Sequence, residues 1–157
     1  MLRNGEDPLF IARRLIISAS EDIGLADPNA MLIANSAFES VNKIGMPEGR
    51  IPLANATIYL CLAEKSNSSY LAINSALNEV EANPINDIPM HLMNADTALD
   101  KKLGVGEGYT YDHDSKEGFI KKNNFPEKIQ NKDFYKPNER GIEIKLKEKF
   151  ERLWLSE

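Results

Sequence analysis

The residue types best suited to chemistry in this sequence stand in the run Tyr111-Asp112-His113-Asp114. A histidine flanked by two carboxylates could ligate a divalent cation or transfer a proton. Neighbouring side chains point apart in most backbone conformations, however, and the second histidine, His91, lies in a different loop. The run therefore favours a turn held by Asp and His hydrogen bonds over a metal site or a small hydrolase.

Two other patterns carry reactive residue types. Ser66 and Ser68 beside Lys65 have the composition of a Ser–Lys nucleophile pair, but they stand where residues that cap helices are expected. The run 104–108 is the nearest approach to a phosphate-binding loop, yet it places Glu107 where phosphate needs positive charge. We therefore predict no catalytic residue, no cofactor-binding residue and no metal ligand in this chain.

Composition describes an ordinary globular chain of 157 residues, with 42% hydrophobic and 27% charged residues and a net charge of −5. No apolar run approaches the roughly 20 residues of a membrane span. Arg3 is followed by acidic residues and no compact apolar stretch, which is unlike a signal peptide. The single Cys61 excludes an internal disulfide and fits a reducing cytoplasm. A net acidic chain is also poorly suited to be a main DNA-binding surface.

Local signals divide the chain into helices and one irregular stretch. Asp7-Pro8 and Asp27-Pro28 each predict a helix start, and Gly24 and Gly45 predict the two helix ends. Apolar spacing then predicts an all-α fold with helices over 8–20, 28–43, 52–64, 69–81 and 96–103, and a last one from Asn138 or Glu139. Residues 104–140 have no sustained period, which predicts irregular structure and allows a short hairpin over 109–119. We predict a helical oligomerisation core over 1–104 and a C-terminal extension over 105–157 within the same domain.

The same residues carry a family resemblance along nearly the whole chain, in order. The matching segments are 5–15, 20–28, Ile44-Gly45-Met46-Pro47-Glu48-Gly49-Arg50, Lys65-Ser66-Asn67, Gly106-Glu107-Gly108-Tyr109, Tyr111-Asp112-His113-Asp114, Phe134-Tyr135 and Arg140-Gly141-Ile142-Glu143. They resemble the C-terminal region of a bacterial AAA+ ATPase family, the replication-associated recombination proteins, which are related to the eukaryotic Werner-helicase-interacting ATPase. Val105 departs from this pattern, because the family usually has an aromatic residue there.

The resemblance implies a helical domain similar to the collar of DNA polymerase clamp loaders, assembled as a homotetramer. It implies that an AAA+ module precedes Met1 and that ATP and magnesium bind there, with no cofactor in this chain. The implied partners are further copies of the chain, that AAA+ module, and DNA and single-stranded-DNA-binding protein through the full-length protein, with no membrane. The implied location is the cytoplasm, in association with the nucleoid.

Our first functional hypothesis is therefore an assembly module for replication, recombination and repair. The helix over 52–64 is apolar on most sides, which is typical of a helix buried within a domain or between subunits. The predicted oligomer contacts are Leu53, Ile58, Tyr59, Leu60, Tyr70, Ile73 and Leu77, although periodicity leaves open which of them face inward. The alternative is a monomeric adaptor that binds single-stranded DNA, or a single-stranded-DNA-binding protein, through lysines and aromatics of the C-terminal half.

Overall fold

A computed structural model describes residues 1–84, 88–116, 118–129 and 133–155. These residues form six α-helices and contain no β-strand, which confirms the all-α prediction. The helices are α1 (Pro8–Ser18), α2 (Asn29–Ile44), α3 (Arg50–Leu62), α4 (Ser68–Ala82), α5 (Ala98–Lys102) and α6 (Glu143–Phe150). Among the described helices, none is both long enough and apolar enough to cross a bilayer.

The chain divides into two compact units whose limits differ from the predicted boundary at residue 104. The first unit comprises Met1–Ile73 and Tyr135–Lys149, so a segment near the C-terminus returns to the N-terminal helices. The second comprises Asn74–Phe134 and Phe150–Glu157. Residues that are far apart in the sequence therefore belong to the same compact unit.

The predicted Asp-Pro helix starts are present, with one difference. The Asp7 carboxylate accepts hydrogen bonds from the backbone N–H groups of Leu9 and Phe10, each at 3.1 Å, and Pro8 begins α1. The Asp27 carboxylate accepts the N–H of Asn29 at 3.1 Å, and α2 begins at Asn29. The second oxygen of Asp27 is thereby left for a tertiary contact.

The end of the first helix is more irregular than the sequence predicted. The α-helix stops at Ser18, and the chain continues as a π-helical turn over Ala19–Ile23 before Gly24 takes a φ of +50°. A Cβ on Gly24 would lie 2.7 Å from the carbonyl oxygen of Ser66. Ser66 also donates its N–H to the carbonyl of Asp22 at 2.9 Å. The corner is thus shaped by close contact with the segment before α4.

Small side chains dominate the interior of the first unit. α2 packs against α1 and α3, and α1 also packs against α3. Alanines fill these contacts because they allow helix axes to approach closely. The buried apolar residues of the two clusters are Ala12, Ala19, Ile23, Ala30, Ala34, Val41, Leu53 and Leu60.

The returning segment is fixed to the first unit by a buried carboxylate. Glu143 begins α6 and is fully buried. Its Oε1 accepts hydrogen bonds from the Ser68 hydroxyl at 2.5 Å and the Tyr135 hydroxyl at 3.0 Å. Next to it, the N–H of Ile142 donates to the carbonyl of Ala26 at 2.8 Å. The final α-helix therefore begins later than the predicted Asn138 or Glu139, because the preceding residues are used to dock the chain.

The second unit contains α5 and irregular backbone, but the predicted hairpin over 109–119 is wrong for the residues described. Asp112–Asp114 form a 3₁₀ turn. The Ser115 hydroxyl then donates to the carbonyl of Phe119 and accepts its N–H, both at 3.0 Å. A side chain thus supplies the hydrogen bonds that a pair of strands would have shared.

Gly141→Ala is expected to destabilise the first unit strongly. Gly141 has a φ of +56°, and an added Cβ would lie 2.1 Å from the carbonyl oxygen of Ala26, so the Ile142–Ala26 hydrogen bond cannot keep its geometry. We expect a loss of about 3 kcal/mol or more in the free energy of unfolding, measured with urea. Gly5→Ala is the matched control, because Gly5 has a φ of +83° but open space around it. That control should cost only about 1 kcal/mol, and equal losses would contradict the proposed clash.

Stability should also fall in acid through Glu143. Burial opposes its ionisation, but hydrogen bonds from Ser66, Ser68, Tyr135 and the backbone of Asn138 together hold its pKa below the ordinary value of 4.5. The unfolded chain therefore takes up this proton first, and the stabilisation, complete above about pH 4.5, disappears as the pH falls through the folded pKa. Glu143→Gln should cost about 1–3 kcal/mol at neutral pH and flatten the acid limb of the stability profile. An unchanged acid limb would contradict this assignment.

Candidate subunit contact

The structure shows which side of α3 faces the core, a question that the sequence left open. Leu53, Ala56 and Leu60 recur at helical spacing and are buried in the first unit. Their burial fixes one side of the helix against α1 and α2. Because 100° separates successive residues, positions two before or two after them lie on roughly the opposite side.

That opposite side is exposed and largely apolar. Ile51, Asn55, Ile58 and Leu62 follow one another at intervals of four, three and four residues, which aligns them in one stripe. The exposed fractions are 55% for Ile51, 59% for Ile58 and 82% for Leu62. We call these four residues the α3 stripe. Contiguous apolar surface of this kind is typical of a protein contact.

A shallow cleft of about 440 Å³ borders the α3 stripe. Tyr59 stands on its wall, and its hydroxyl donates to Asp27 Oδ2 at 2.7 Å. This hydrogen bond, followed by burial and the Asp27 charge, raises the pKa of Tyr59 above 10.0. Asp27 thus connects the start of α2 to α3 and holds the Tyr59 ring beside the stripe.

The seven predicted contact residues occupy different environments. Leu53 and Leu60 lie in the core of the first unit, where they pack within the chain, and Tyr59 is half-buried with its hydroxyl engaged. Ile58 is exposed on the α3 stripe. The remaining three are exposed on α4: Tyr70, Ile73 and Leu77. Their contact with another subunit stays a prediction.

The residues first considered for chemistry take other roles. Lys65 donates from its ammonium to the carbonyls of Leu60 at 2.5 Å and Ala63 at 2.8 Å, at the C-terminal end of α3. Ser66 and Ser68 are buried and hydrogen-bonded to each other. In the described part of the chain, no three His, Cys, Asp or Glu side chains are grouped to hold a metal ion. The glycines of 104–108 have φ near +78°, and the Gly106 N–H donates to Met90 rather than facing an open cradle.

Residues 1–154 match the protein family described as MgsA AAA+ ATPase C terminal. The chain belongs to this family. It is 45% identical over 154 residues to replication-associated recombination protein A of Haemophilus influenzae, covering 98% of this chain and 34% of that protein. The protein of the same name from Bacillus subtilis is 44% identical over 144 residues, covering 91% and 34%. ATPase WRNIP1 of Dictyostelium discoideum is 38% identical over 139 residues, covering 86% and 16%.

This MgsA C-terminal chain therefore spans about a third of the length of the two bacterial relatives. The family resemblance drawn from the sequence motifs is confirmed. Among those motifs, Arg140-Gly141-Ile142-Glu143 marked the docking segment without revealing what it does. Glu143 was missed as an anchor because its partner Ser68 lies 75 residues away along the chain. The sequence did contain one signal for this anchor. Glu143 is a carboxylate within a motif of the family, and no surface role explained its presence there.

Tyr59→Phe tests how the MgsA C-terminal domain holds α3 against α2. The change removes the hydroxyl that donates to Asp27 and retains the ring. We expect a lower urea midpoint below pH 10, since the raised pKa keeps the hydroxyl protonated there, and convergence with the wild type as the pH rises through the folded pKa. Tyr109→Phe removes an exposed tyrosine hydroxyl outside the first unit and serves as the control. A midpoint equal to that of the control would show that the hydrogen bond contributes nothing.

Proposed function

We propose that this chain is the oligomerisation domain of an AAA+ ATPase that acts in replication-associated recombination, and that it forms a homotetramer through the α3 stripe. The observation that carries the proposal is the exposed apolar stripe opposite the buried side of α3. Membership of the MgsA C-terminal family and the names of the relatives support the choice of parent protein.

Association through the α3 stripe would remove water from Ile51, Ile58 and Leu62. Burial of apolar surface contributes about 25 cal/mol for each Å², and a stable contact buries about 800 Å² on each partner. One helical stripe is smaller than this, so neighbouring surface of the first unit would join the contact. The exposed Tyr70 and Ile73 at the start of α4 belong to that unit and supply further apolar surface.

The function of such an assembly is to hold several ATPase modules together. Modules tethered to one closed, symmetric core meet one another at a high effective concentration. In this proposal ATP and magnesium bind the AAA+ module of the parent protein. The parent, rather than this chain, engages DNA and single-stranded-DNA-binding protein in the nucleoid.

Leu62→Asp should convert the oligomer to monomer. Leu62 is the most exposed apolar residue of the α3 stripe, so a carboxylate there leaves the folded monomer intact but places an unpaired charge in the contact. Light scattering after size exclusion should give four chain masses for the wild type and one for the variant. The thermal midpoint of the monomeric variant, measured at low protein concentration, should equal that of the wild type.

Leu32→Asp is the matched control. Leu32 is 67% exposed on α2, away from the buried side of that helix, and the substitution is chemically the same. We expect the Leu32→Asp variant to remain a tetramer. A wild-type chain that is monomeric at all accessible concentrations, or a Leu62→Asp chain that remains tetrameric, would contradict the proposed contact.

A further inference from the structure

The second unit contains a cleft of about 470 Å³ that is lined in large part by ring side chains. The rings that line it belong to His91, Tyr109, Tyr111, His113, Phe119 and Trp154. Tyr109 and Tyr111 remain 63% and 52% exposed, so they do not serve as anchors into a core. The cleft therefore presents ring surface to solvent, which is typical of a binding site.

Hydrogen bonds and ring contacts hold the lining in place. The Lys122 ammonium donates to the Gly108 carbonyl and to the Thr110 hydroxyl, which fixes the backbone on either side of Tyr109. The Tyr111 and His113 rings lie 5.0 Å apart, and those of Phe119 and Trp154 meet edge to face at 5.2 Å. A lining organised before binding loses less conformational entropy when a ligand arrives.

Charge decides which class of ligand suits these rings. The second unit has thirteen acidic and eight basic residues in sequence, a net charge of −5, and Asp112 lines the cleft. Lys122 is the one lysine among the described residues that line the cleft. Its ammonium group already donates hydrogen bonds to a backbone oxygen and a hydroxyl oxygen of its own chain. A phosphate backbone would meet a carboxylate and an acidic surround, although the rings alone could stack on bases.

Both the aromatic lining and the acidic charge around the cleft favour a cation as the ligand. The faces of tyrosine and tryptophan rings attract cations through their quadrupole, and guanidinium also stacks on aromatic rings and pairs with carboxylates. We propose that this cleft binds an arginine side chain of a basic peptide segment in a partner protein, with the Tyr111 ring stacking on the guanidinium and Asp112 pairing with it. This site goes beyond self-association, because it lies in the second unit and uses none of the α3 stripe.

Trp154 provides a direct probe, since it is the single tryptophan of the chain and lines the cleft. The ligand to be titrated into the 157-residue protein is the blocked peptide acetyl-Gly-Arg-Gly-Arg-Gly-amide. The same peptide with citrulline in place of arginine keeps the shape and removes the charge, and an oligothymidine strand tests nucleic acid. We expect a saturable change in tryptophan fluorescence with the arginine peptide, and at least fivefold weaker binding of the other two.

Two variants and two matched controls assign the binding to the cleft. Tyr111→Leu and Asp112→Asn should each weaken binding of the arginine peptide about fivefold. Phe10→Leu removes an exposed ring from the first unit, and Asp133→Asn removes a carboxylate of the second unit that is not among the lining residues; both should bind within about twofold of the wild type. All four positions are exposed or partly exposed, and circular dichroism checks that each variant folds.

The proposal is overturned by any of three results. Equal binding of the citrulline peptide would remove the role of the charge. Equal weakening by Asp112→Asn and Asp133→Asn would show diffuse attraction to an acidic surface. Tighter binding of oligothymidine, weakened by Tyr111→Leu, would assign the cleft to nucleic acid. None of these outcomes bears on the light-scattering test of the α3 stripe.

Discussion

A buried carboxylate determines how the first unit is put together. Glu143 is fully buried, and its Oε1 accepts hydrogen bonds from two hydroxyl groups that lie far apart along the chain, those of Ser68 and Tyr135. Removing a carboxylate from water is costly, and the hydrogen bonds from Ser68 and Tyr135 offset part of that cost. Ionisation of Glu143 therefore couples the start of α4 to the segment that leads into α6. Gly141 has a left-handed backbone conformation and lies close to Ala26. This contact also joins the segment before α6 to the N-terminal helices.

The alanine-rich interior explains why α3 leaves apolar surface outside. α1 and α2 offer mainly small buried side chains, so the three helices pack closely and enclose little volume. α3 has more large apolar residues than this narrow core can accept, and Leu53 and Leu60 take the available places. Ile51, Ile58 and Leu62 then remain on the opposite side. Burial of Leu53, Ala56 and Leu60 sets the orientation of α3, and the Tyr59–Asp27 hydrogen bond adds to the stability of that orientation.

Sequence reasoning succeeded where a few neighbouring residues decide the structure. Asp7 with Pro8, and Gly45 after α2, act through hydrogen bonds and φ preferences within one turn. It failed for the hairpin over 109–119, because the Ser115 side chain replaced strand pairing. It could not find the Glu143 anchor, which depends on a contact across 75 residues. Nor could it orient α3, because a helix apolar on most sides has no periodicity that distinguishes core from contact.

Charge is divided between the units in a way that suits two separate surfaces. The first unit has eleven acidic and eleven basic residues, so the net charge of the whole chain resides in the second. Apolar stripes can meet between copies of a neutral unit without the repulsion that a uniformly acidic chain would impose, because like charges oppose close association. The acidic unit with its aromatic cleft is left to attract basic ligands over longer distances, an effect that added salt weakens. The proposed self-association and the proposed recognition of a basic partner thus draw on different forces, and each can be tested without the other.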